Sequence, residues 1–401
     1  MKNSSIYNPS LFHRSYTNTE LSKFSQSLSE LSESVNNQFF HLEKIIDNNL
    51  QIDLSDLENF AYVFRQISNF GQHLYKRNEF SFAWSVFISN IHKNLQDRLI
   101  LKFHSLKSSH IVHNSKELFW SESLKNSGFF NFNLESKLVD ELRSLLINEE
   151  QELYERYRSG RDFSRHNLSI NQIPYATRAK LGAILEQEGV LRAASAGFNS
   201  ELFSAGFALE LSVPEATWWK SKKTPIGQST PAKTAYFHRD ESPLVPKAII
   251  YLSDVTADNG PFEIVPPSFK SENSPFEAEA SRMHYYPIDQ LRKSLPELNE
   301  EELFEAFENS LPPSFCVDSH FGFSVPDSSE ASRQILNDSI SFCGNAGFGI
   351  CFDGYSLLHR GGLVANSTRL ALQIMLPTLI PSNDEFSNFI RQVSLDGKSY
   401  E

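Results

Sequence analysis

The sequence has few cysteines and no closely spaced cysteine pair. Its three cysteines among 401 residues are Cys316, Cys343 and Cys351. Their number is odd, and no two of them form a Cys-x-x-Cys motif. A disulfide framework and a structural zinc site built on thiolates are therefore both unexpected.

The sequence also lacks long apolar segments and an excess of positive charge. No stretch approaches the roughly 18 consecutive apolar residues of a membrane-spanning helix, and the first residues lack the apolar core of a signal peptide. Lys and Arg total 37 against 49 Asp and Glu, which gives a formal net charge of −12. We therefore expect a cytoplasmic protein that binds neither nucleic acid nor a membrane.

Residues 1–125 show helical periodicity and no strand pattern. The apolar stripe of the first predicted helix recurs every three or four residues and consists of Leu21, Phe24, Leu28, Leu31 and Val35. Further helices are predicted from Ser55 and over 81–103. We favour a helical support that packs on the rest of the chain, while homodimerisation or partner binding through these helices stays open.

Residues that suit metal chemistry occur where the pattern turns to strands. His238 and Asp240 are two residues apart, so on a strand their side chains would point to the same face. The apolar run at 247–252 predicts a buried strand. The Asp-Asn-Gly sequence at 258–260 then predicts a hairpin turn, and 261–265 predicts the returning strand.

His359 and Arg369 extend this set of residues. His359 follows a strand-like run at 349–353 and is the natural candidate for a third ligand. Two histidines and one carboxylate on one face of a metal are typical of non-haem Fe(II) oxygenases. Arg369 lies ten positions later in the last strand-like run, and its guanidinium suits a carboxylate.

In combination, these motifs resemble the phytanoyl-CoA dioxygenase family. The resemblance rests on His-Arg-Asp at 238–240, on the run at 250–268 that contains Asp-Asn-Gly-Pro-Phe-Glu, and on the run at 352–369 that contains Tyr-Ser-Leu-Leu-His-Arg-Gly. It covers about residues 128–377.

The resemblance implies an α+β protein with a double-stranded β-helix core of the jelly-roll or cupin-like kind. Flanking helices would surround this core, and the oxygenase domain would comprise residues 126–401 after the helical N-terminal region at 1–125. The segment at 269–348 is too long for a simple connection between strands. We expect it to be a lid-like insertion over the substrate pocket.

The resemblance also implies the chemistry. His238, Asp240 and His359 would bind Fe(II), Arg369 would bind the distal carboxylate of the cosubstrate 2-oxoglutarate, and dioxygen (O2) would be consumed. Because Asp240 occupies the position that a halide takes in related halogenases, hydroxylation of an unactivated C–H bond in a small-molecule metabolite is favoured. Tyr251 is either a further cosubstrate contact or a core tyrosine.

Two other functions remain open from the sequence. One is a non-catalytic double-stranded β-helix protein that acts as a binding or assembly module through its helical N-terminal region. The other is a zinc enzyme without a cosubstrate, which leaves Arg369 unexplained. The substrate itself is not determined by the sequence, because one fold serves many chemistries.

Overall fold

A computed structural model provides the structure of the protein. It describes residues 18–48, 54–75, 79–106, 110–159, 165–168, 172–214, 237–240, 242–268, 275–282, 330–362, 364, 366–380 and 384–395. Every structural statement below refers to these residues. In this part of the chain, no helix is both long enough and apolar enough to cross a membrane.

Long helices form where the sequence periodicity predicts them. The first four helices are α1 (Asn18–Asp47), α2 (Leu54–Tyr75), α3 (Glu79–Ser105) and α4 (Ser115–Ser127). Leu28 and Val35 of the predicted apolar stripe are fully buried in α1. The first three of these helices pack on one another, as expected for a helical support whose apolar faces meet.

The later helices interrupt or follow the strands. They are α5 (Ser136–Leu145), α6 (Ile147–Arg158), α7 (Tyr175–Gln187), α8 (Val190–Phe198), α9 (Pro275–Arg282), α10 (Glu330–Asp338) and α11 (Glu385–Leu395). The helices α7 and α8 are separated at Gly189, which has a positive φ of 80°. Glycine adopts this backbone conformation without the steric cost that a Cβ atom brings.

Two antiparallel sheets complete an α+β fold. The strands are β1 (Phe129–Asn133), β2 (Arg165–Leu168), β3 (Gly206–Ser212), β4 (Lys247–Tyr251), β5 (Phe262–Val265), β6 (Ile340–Phe342), β7 (Phe348–Phe352), β8 (Leu358–Gly361) and β9 (Arg369–Met375). A six-stranded sheet has the order β1-β7-β4-β9-β3-β2, and a three-stranded sheet has the order β6-β5-β8.

The prediction of a hairpin between β4 and β5 is wrong, although both strands exist. β4 pairs with β7 and β9 in the larger sheet, whereas β5 pairs with β6 and β8 in the smaller one. The turn at 258–260 therefore carries the chain from one sheet to the other. Gly260 has a φ of 82°, as the turn residues predict, and a Cβ atom there would approach the carbonyl oxygen of Gly362 to 2.9 Å.

The larger sheet is covered on both faces, which explains why β3 is buried at every position. Side chains on its outer face, such as Leu209 and Leu372, form one core with α4 to α8. Side chains on its inner face, such as Tyr251 and Phe352, form a second core with Phe262 of the smaller sheet. The two sheets therefore face each other across an aromatic interior.

The segment at 269–348 is described only in part. Its described residues include α9, α10, β6 and the first residue of β7. The backbone N–H of Phe276 in α9 donates to Oδ1 of Asn36 in α1 at 2.8 Å, so this helix is attached to the N-terminal helices. Leucines at 291, 295, 298 and 303 predict a helix over 287–307, but these residues lie outside the described ranges. The lid-like role of the segment stays a prediction.

The helix α11 binds back onto α3 through buried polar groups. Nε2 of Gln96 donates to the carbonyl oxygen of Ile390 at 2.8 Å and lies 3.1 Å from Nε2 of His92. Nε2 of His104 lies 2.7 Å from the hydroxyl of Ser387. The helix that follows β9 thus packs against the N-terminal helices.

His92 gives the fold an acid sensitivity that can be measured. Burial lowers the pKa of His92 from 6.5 to about 3. Between these two pH values, His92 is therefore protonated in the unfolded state and neutral in the native state. The free energy of unfolding decreases as the pH falls from 6.5 towards 3. His92→Gln should reduce the slope of unfolding free energy between pH 6 and pH 4 by on the order of 1 kcal/mol per pH unit. Urea unfolding at each pH measures it, and an equal slope in both proteins would contradict this role for His92.

Candidate metal centre

The backbones of His238 and His359 are bonded to each other in both directions. The N–H of His238 donates to the carbonyl of His359 at 2.9 Å, and the N–H of His359 donates to the carbonyl of His238 at 3.0 Å. Directly paired residues of two antiparallel strands present their side chains to the same face. The two imidazole rings accordingly lie with their centroids 4.3 Å apart.

Asp240 joins the two histidines from a turn-like segment. His238 forms an isolated bridge and Asp240 belongs to no strand, so the strand geometry predicted for this pair is only partly correct. The N–H of Asp240 donates to the carbonyl of Gly354 at 2.7 Å. This bond brings the carboxylate beside His359, where its Oδ2 lies 3.8 Å from Nε2.

His238, Asp240 and His359 form a group of potential metal ligands. One ligand atom from each residue lies within 4.8 Å of the other two. No other group of three or more His, Cys, Asp or Glu residues with this property occurs in the described ranges. Two imidazole nitrogens and one carboxylate oxygen are the donor set of a facial non-haem iron site.

Nε2 of His359 and Oδ2 of Asp240 face each other, and no proton lies between them. Nδ1 of His359 lies 3.0 Å from the carbonyl oxygen of Leu357. A carbonyl only accepts, so in this contact Nδ1 carries the proton and Nε2 of the neutral ring has a lone pair. Burial lowers the pKa of His359, although Asp240 opposes the shift. Within the described residues, Oδ2 of Asp240 is buried without a hydrogen-bond partner, so a cation between these two atoms would satisfy both.

Lys247 keeps Asp240 ionised. Its Nζ donates to Oδ1 of Asp240 at 2.7 Å. Burial alone would raise the pKa of Asp240, but the ammonium of Lys247 outweighs it, and the pKa lies well below its usual range. Sequence reasoning missed this residue. A lysine at the first position of an otherwise apolar strand is the signal that could have pointed to it.

Arg239 is a second residue that the sequence did not identify. It is buried between the two ligands of its own segment. Its Nε donates to the carbonyl of Ser356 at 3.0 Å, and its Nη2 donates to the carbonyl of Ser268 at 2.9 Å. The hydroxyl of Ser268 in turn accepts the N–H of Leu358 at 2.8 Å. These bonds tie the segment at 237–240 to the strand that carries His359.

Arg369 opens β9 and is buried on the same face as Ser212, its cross-strand neighbour. Its Nη2 donates to the hydroxyl of Ser212 at 3.0 Å, and its Nη1 donates to the carbonyl of Gly260.

Tyr251 is fully buried, donates to the carbonyl of Phe342 at 2.8 Å and accepts the N–H of Phe262 at 2.9 Å. Burial raises the pKa of Tyr251 to about 12, and this geometry favours the core tyrosine over the cosubstrate contact.

The sequence matches no family model and no curated protein. Among solved structures, the chain is similar to the non-haem α-ketoglutarate-dependent carbocyclase SnoK from nogalamycin biosynthesis, with a TM-score of 0.38 and 14% identity over 68% of this chain and 87% of that one. It is similar to EctD from S. alaskensis with bound Fe, with a TM-score of 0.37 and 12% identity over 68% and 80% of the two chains. With TM-scores below 0.5, these similarities carry no argument about the chemistry.

The backbone contact between Gly354 and Asp240 can be tested directly. A methyl group at position 354 would collide with Oδ2 of Asp240. Gly354→Ala should therefore displace the carboxylate and weaken Fe(II) binding about tenfold or more, as is usual when a group that orients a metal ligand is lost. Anaerobic Fe(II) titration of the purified protein measures the effect.

The matched control is Gly197→Ala, whose methyl group would press on Leu124 between helices away from the ligands, at 2.8 Å from Cβ. It should lower the stability and leave the Fe(II) affinity unchanged. Equal Fe(II) affinities in Gly354→Ala and the unmodified protein would show that this glycine does not position Asp240.

Proposed function

We propose that the protein is an Fe(II)- and 2-oxoglutarate-dependent dioxygenase that acts on a small-molecule metabolite. The observation that carries this proposal is the convergence of His238, Asp240 and His359, whose ligand atoms lie within 4.8 Å of one another. The deprotonated Oδ2 and Nε2 atoms that face each other supply the charge and lone pair that a divalent cation needs. A complete ligand set favours an enzyme over a non-catalytic binding module.

The arrangement of the sheets supports the architecture that the motifs imply. Two antiparallel sheets face each other across one interior, and we interpret them as a double-stranded β-helix. His359 lies on a strand of the smaller sheet, and the segment at 237–240 bridges to that strand.

The ligand residues would hold iron on one face and keep the other positions open. When bound, iron together with 2-oxoglutarate and dioxygen supplies an oxidant for an unactivated C–H bond. The chain itself orients the ligands: Lys247 holds Oδ1 of Asp240, and the carbonyl of Leu357 holds Nδ1 of His359.

Aromatic rings would keep this side of the site dry. The rings of Phe352 and Phe262 lie 5.0 Å and 5.8 Å from the ring of His359, measured between centroids. Both phenylalanines are buried in the interior between the sheets. An apolar surround limits the access of water to a metal site and lowers the local dielectric constant.

Arg369 is the proposed anchor of 2-oxoglutarate. Its guanidinium is buried and fixed by Ser212 and Gly260. A buried guanidinium in a fixed orientation suits bidentate binding of a carboxylate. The outcome of the reaction would be hydroxylation, because Asp240 fills the coordination position that a halogenase leaves to halide.

Removal of a ligand should abolish metal binding. Asp240→Ala and His359→Ala should each weaken anaerobic Fe(II) binding by more than about 100-fold, a larger loss than that for groups that only orient ligands. Succinate release from 2-oxoglutarate should cease in both variants. Glu330→Ala removes an exposed carboxylate on α10 and serves as the control. If a variant binds as much iron as the control, the mutated residue is not a ligand of the centre. If the unmodified protein binds zinc in preference to iron, the zinc enzyme is favoured.

Arg369 should govern the cosubstrate and not the metal. Arg369→Leu should raise the apparent KM for 2-oxoglutarate by on the order of 100-fold, because loss of a buried charge partner costs about 2–5 kcal/mol. Arg369→Lys keeps the charge and should show a smaller rise. The Fe(II) affinity measured without 2-oxoglutarate should be unchanged in both. An unaltered KM in Arg369→Leu would exclude this arginine as the anchor.

A further inference from the structure

A buried polar cluster joins the N-terminal helices to the turn that precedes His359. Glu279 on α9 has no solvent exposure. Its Oε1 accepts a hydrogen bond from the hydroxyl of Tyr355 and lies 3.5 Å from Nη1 of Arg98 on α3. We call Arg98, Glu279 and Tyr355 the anchoring cluster. A fully buried carboxylate is costly unless it is paired and hydrogen-bonded, so this cluster depends on all three side chains.

Arg98 fits between aromatic rings from two parts of the chain. The central carbon of its guanidinium lies 4.8 Å from the ring centroid of Phe39 on α1 and 5.9 Å from that of Tyr355. Guanidinium groups are attracted to aromatic faces at such distances. The arginine therefore holds Tyr355 through its ring as well as through Glu279.

Glu279 belongs to a helix that is attached to the N-terminal helices. The N–H of Phe276, one turn earlier in α9, donates to Oδ1 of Asn36 on α1 at 2.8 Å. Phe276 itself is fully buried, and α9 packs against both α1 and α3. The carboxylate that holds Tyr355 is thus positioned by the helical part of the protein.

Tyr355 lies in the middle of the turn at 353–357. Oδ1 of Asp353 accepts the N–H groups of Tyr355 and Ser356 at 3.1 Å and 3.2 Å, which gives the turn a defined shape. Such local bonds from an aspartate are a common way to stabilise a tight turn.

The carbonyl groups of this turn orient the candidate metal ligands. The carbonyl of Gly354 accepts the N–H of Asp240 at 2.7 Å. The carbonyl of Leu357 lies 3.0 Å from Nδ1 of His359. A displacement of the turn would therefore move the Asp240 carboxylate and rotate the His359 ring together.

We propose that the anchoring cluster is a positioning device through which the N-terminal helices set the geometry of the metal centre. Arg98, Glu279 and Tyr355 then touch neither metal nor substrate, and they act by fixing the turn at 353–357. The N-terminal helices thus contribute to the geometry of the metal centre and do not act as a separate assembly module. The inference rests on the metal centre of the proposed function.

The test uses Co(II), whose visible absorption reports the coordination geometry, on the full-length protein without iron. Tyr355→Phe removes the hydroxyl and keeps the ring against Arg98. We expect about tenfold weaker Co(II) binding, the usual loss for a group that orients a ligand, together with an altered Co(II) spectrum. Glu279→Gln should give the same changes. Should Glu279→Gln fail to fold, Tyr355→Phe decides the outcome.

The matched control is Gln96→Met on the same helix as Arg98. Gln96 also makes a buried hydrogen bond, but to another helix, at the carbonyl of Ile390. Gln96→Met should lower the thermal stability and keep the Co(II) affinity and spectrum of the unmodified protein. A change in Co(II) affinity or spectrum must therefore be specific to the anchoring cluster.

The outcomes separate this inference from the proposed function. If the unmodified protein binds Co(II) no better than His359→Ala does, the metal centre itself is wrong. If the unmodified protein binds Co(II) and Tyr355→Phe matches it in affinity and spectrum, the anchoring cluster only stabilises the fold and the inference is overturned, while the metal centre stands. The inference is also overturned if Tyr355→Phe and Gln96→Met lose Co(II) affinity equally.

Discussion

The paired backbone hydrogen bonds between His238 and His359 determine the geometry of the site. They place two imidazoles side by side, although the residues are far apart in the chain. Asp240 follows His238 by two residues, so the same contact also brings a carboxylate to His359. Backbone bonds of this kind fix side-chain direction, because directly paired residues share a face of the sheet.

Electrostatics then determine what the three side chains can bind. The interior between the two sheets is aromatic and buried, which disfavours isolated charges. Asp240 remains an anion there because the ammonium of Lys247 donates a hydrogen bond to one of its oxygens. The other oxygen faces a nitrogen lone pair of His359. The three candidate ligands together carry one negative charge and leave ligand atoms open, as a divalent cation requires. The buried guanidinium of Arg369 is the proposed position for an anionic cosubstrate.

The helices contribute more than coverage of the sheet. One group packs on the outer face of the larger sheet and closes the main hydrophobic core. The N-terminal helices instead reach the turn at 353–357 through Glu279 and Tyr355, and they also hold α11. Because buried polar contacts tolerate little displacement, these connections couple the position of the helices to the turn at 353–357.

Much of the site was determined by the sequence, and the strands that carry it were predictable. Alternating and continuous apolar runs report burial, which is a local property, so β4, β5, β7 and β9 were identified near their correct positions. His238, Asp240, His359 and Arg369 were chosen from residue type and order along the chain. The structure brings the first three together, while metal binding by these three and the role of Arg369 stay predictions.

Only the tertiary structure decided which strands pair and which charges meet. It separated β4 and β5 into different sheets, despite a turn sequence suited to a hairpin. It placed Lys247 on Asp240, and it joined Arg239 to Ser356 across 117 positions and Glu279 to Tyr355 across 76. The physical reason is that hydrophobic periodicity records how deeply a segment is buried but not its neighbours. Those are selected by the packing of the whole chain.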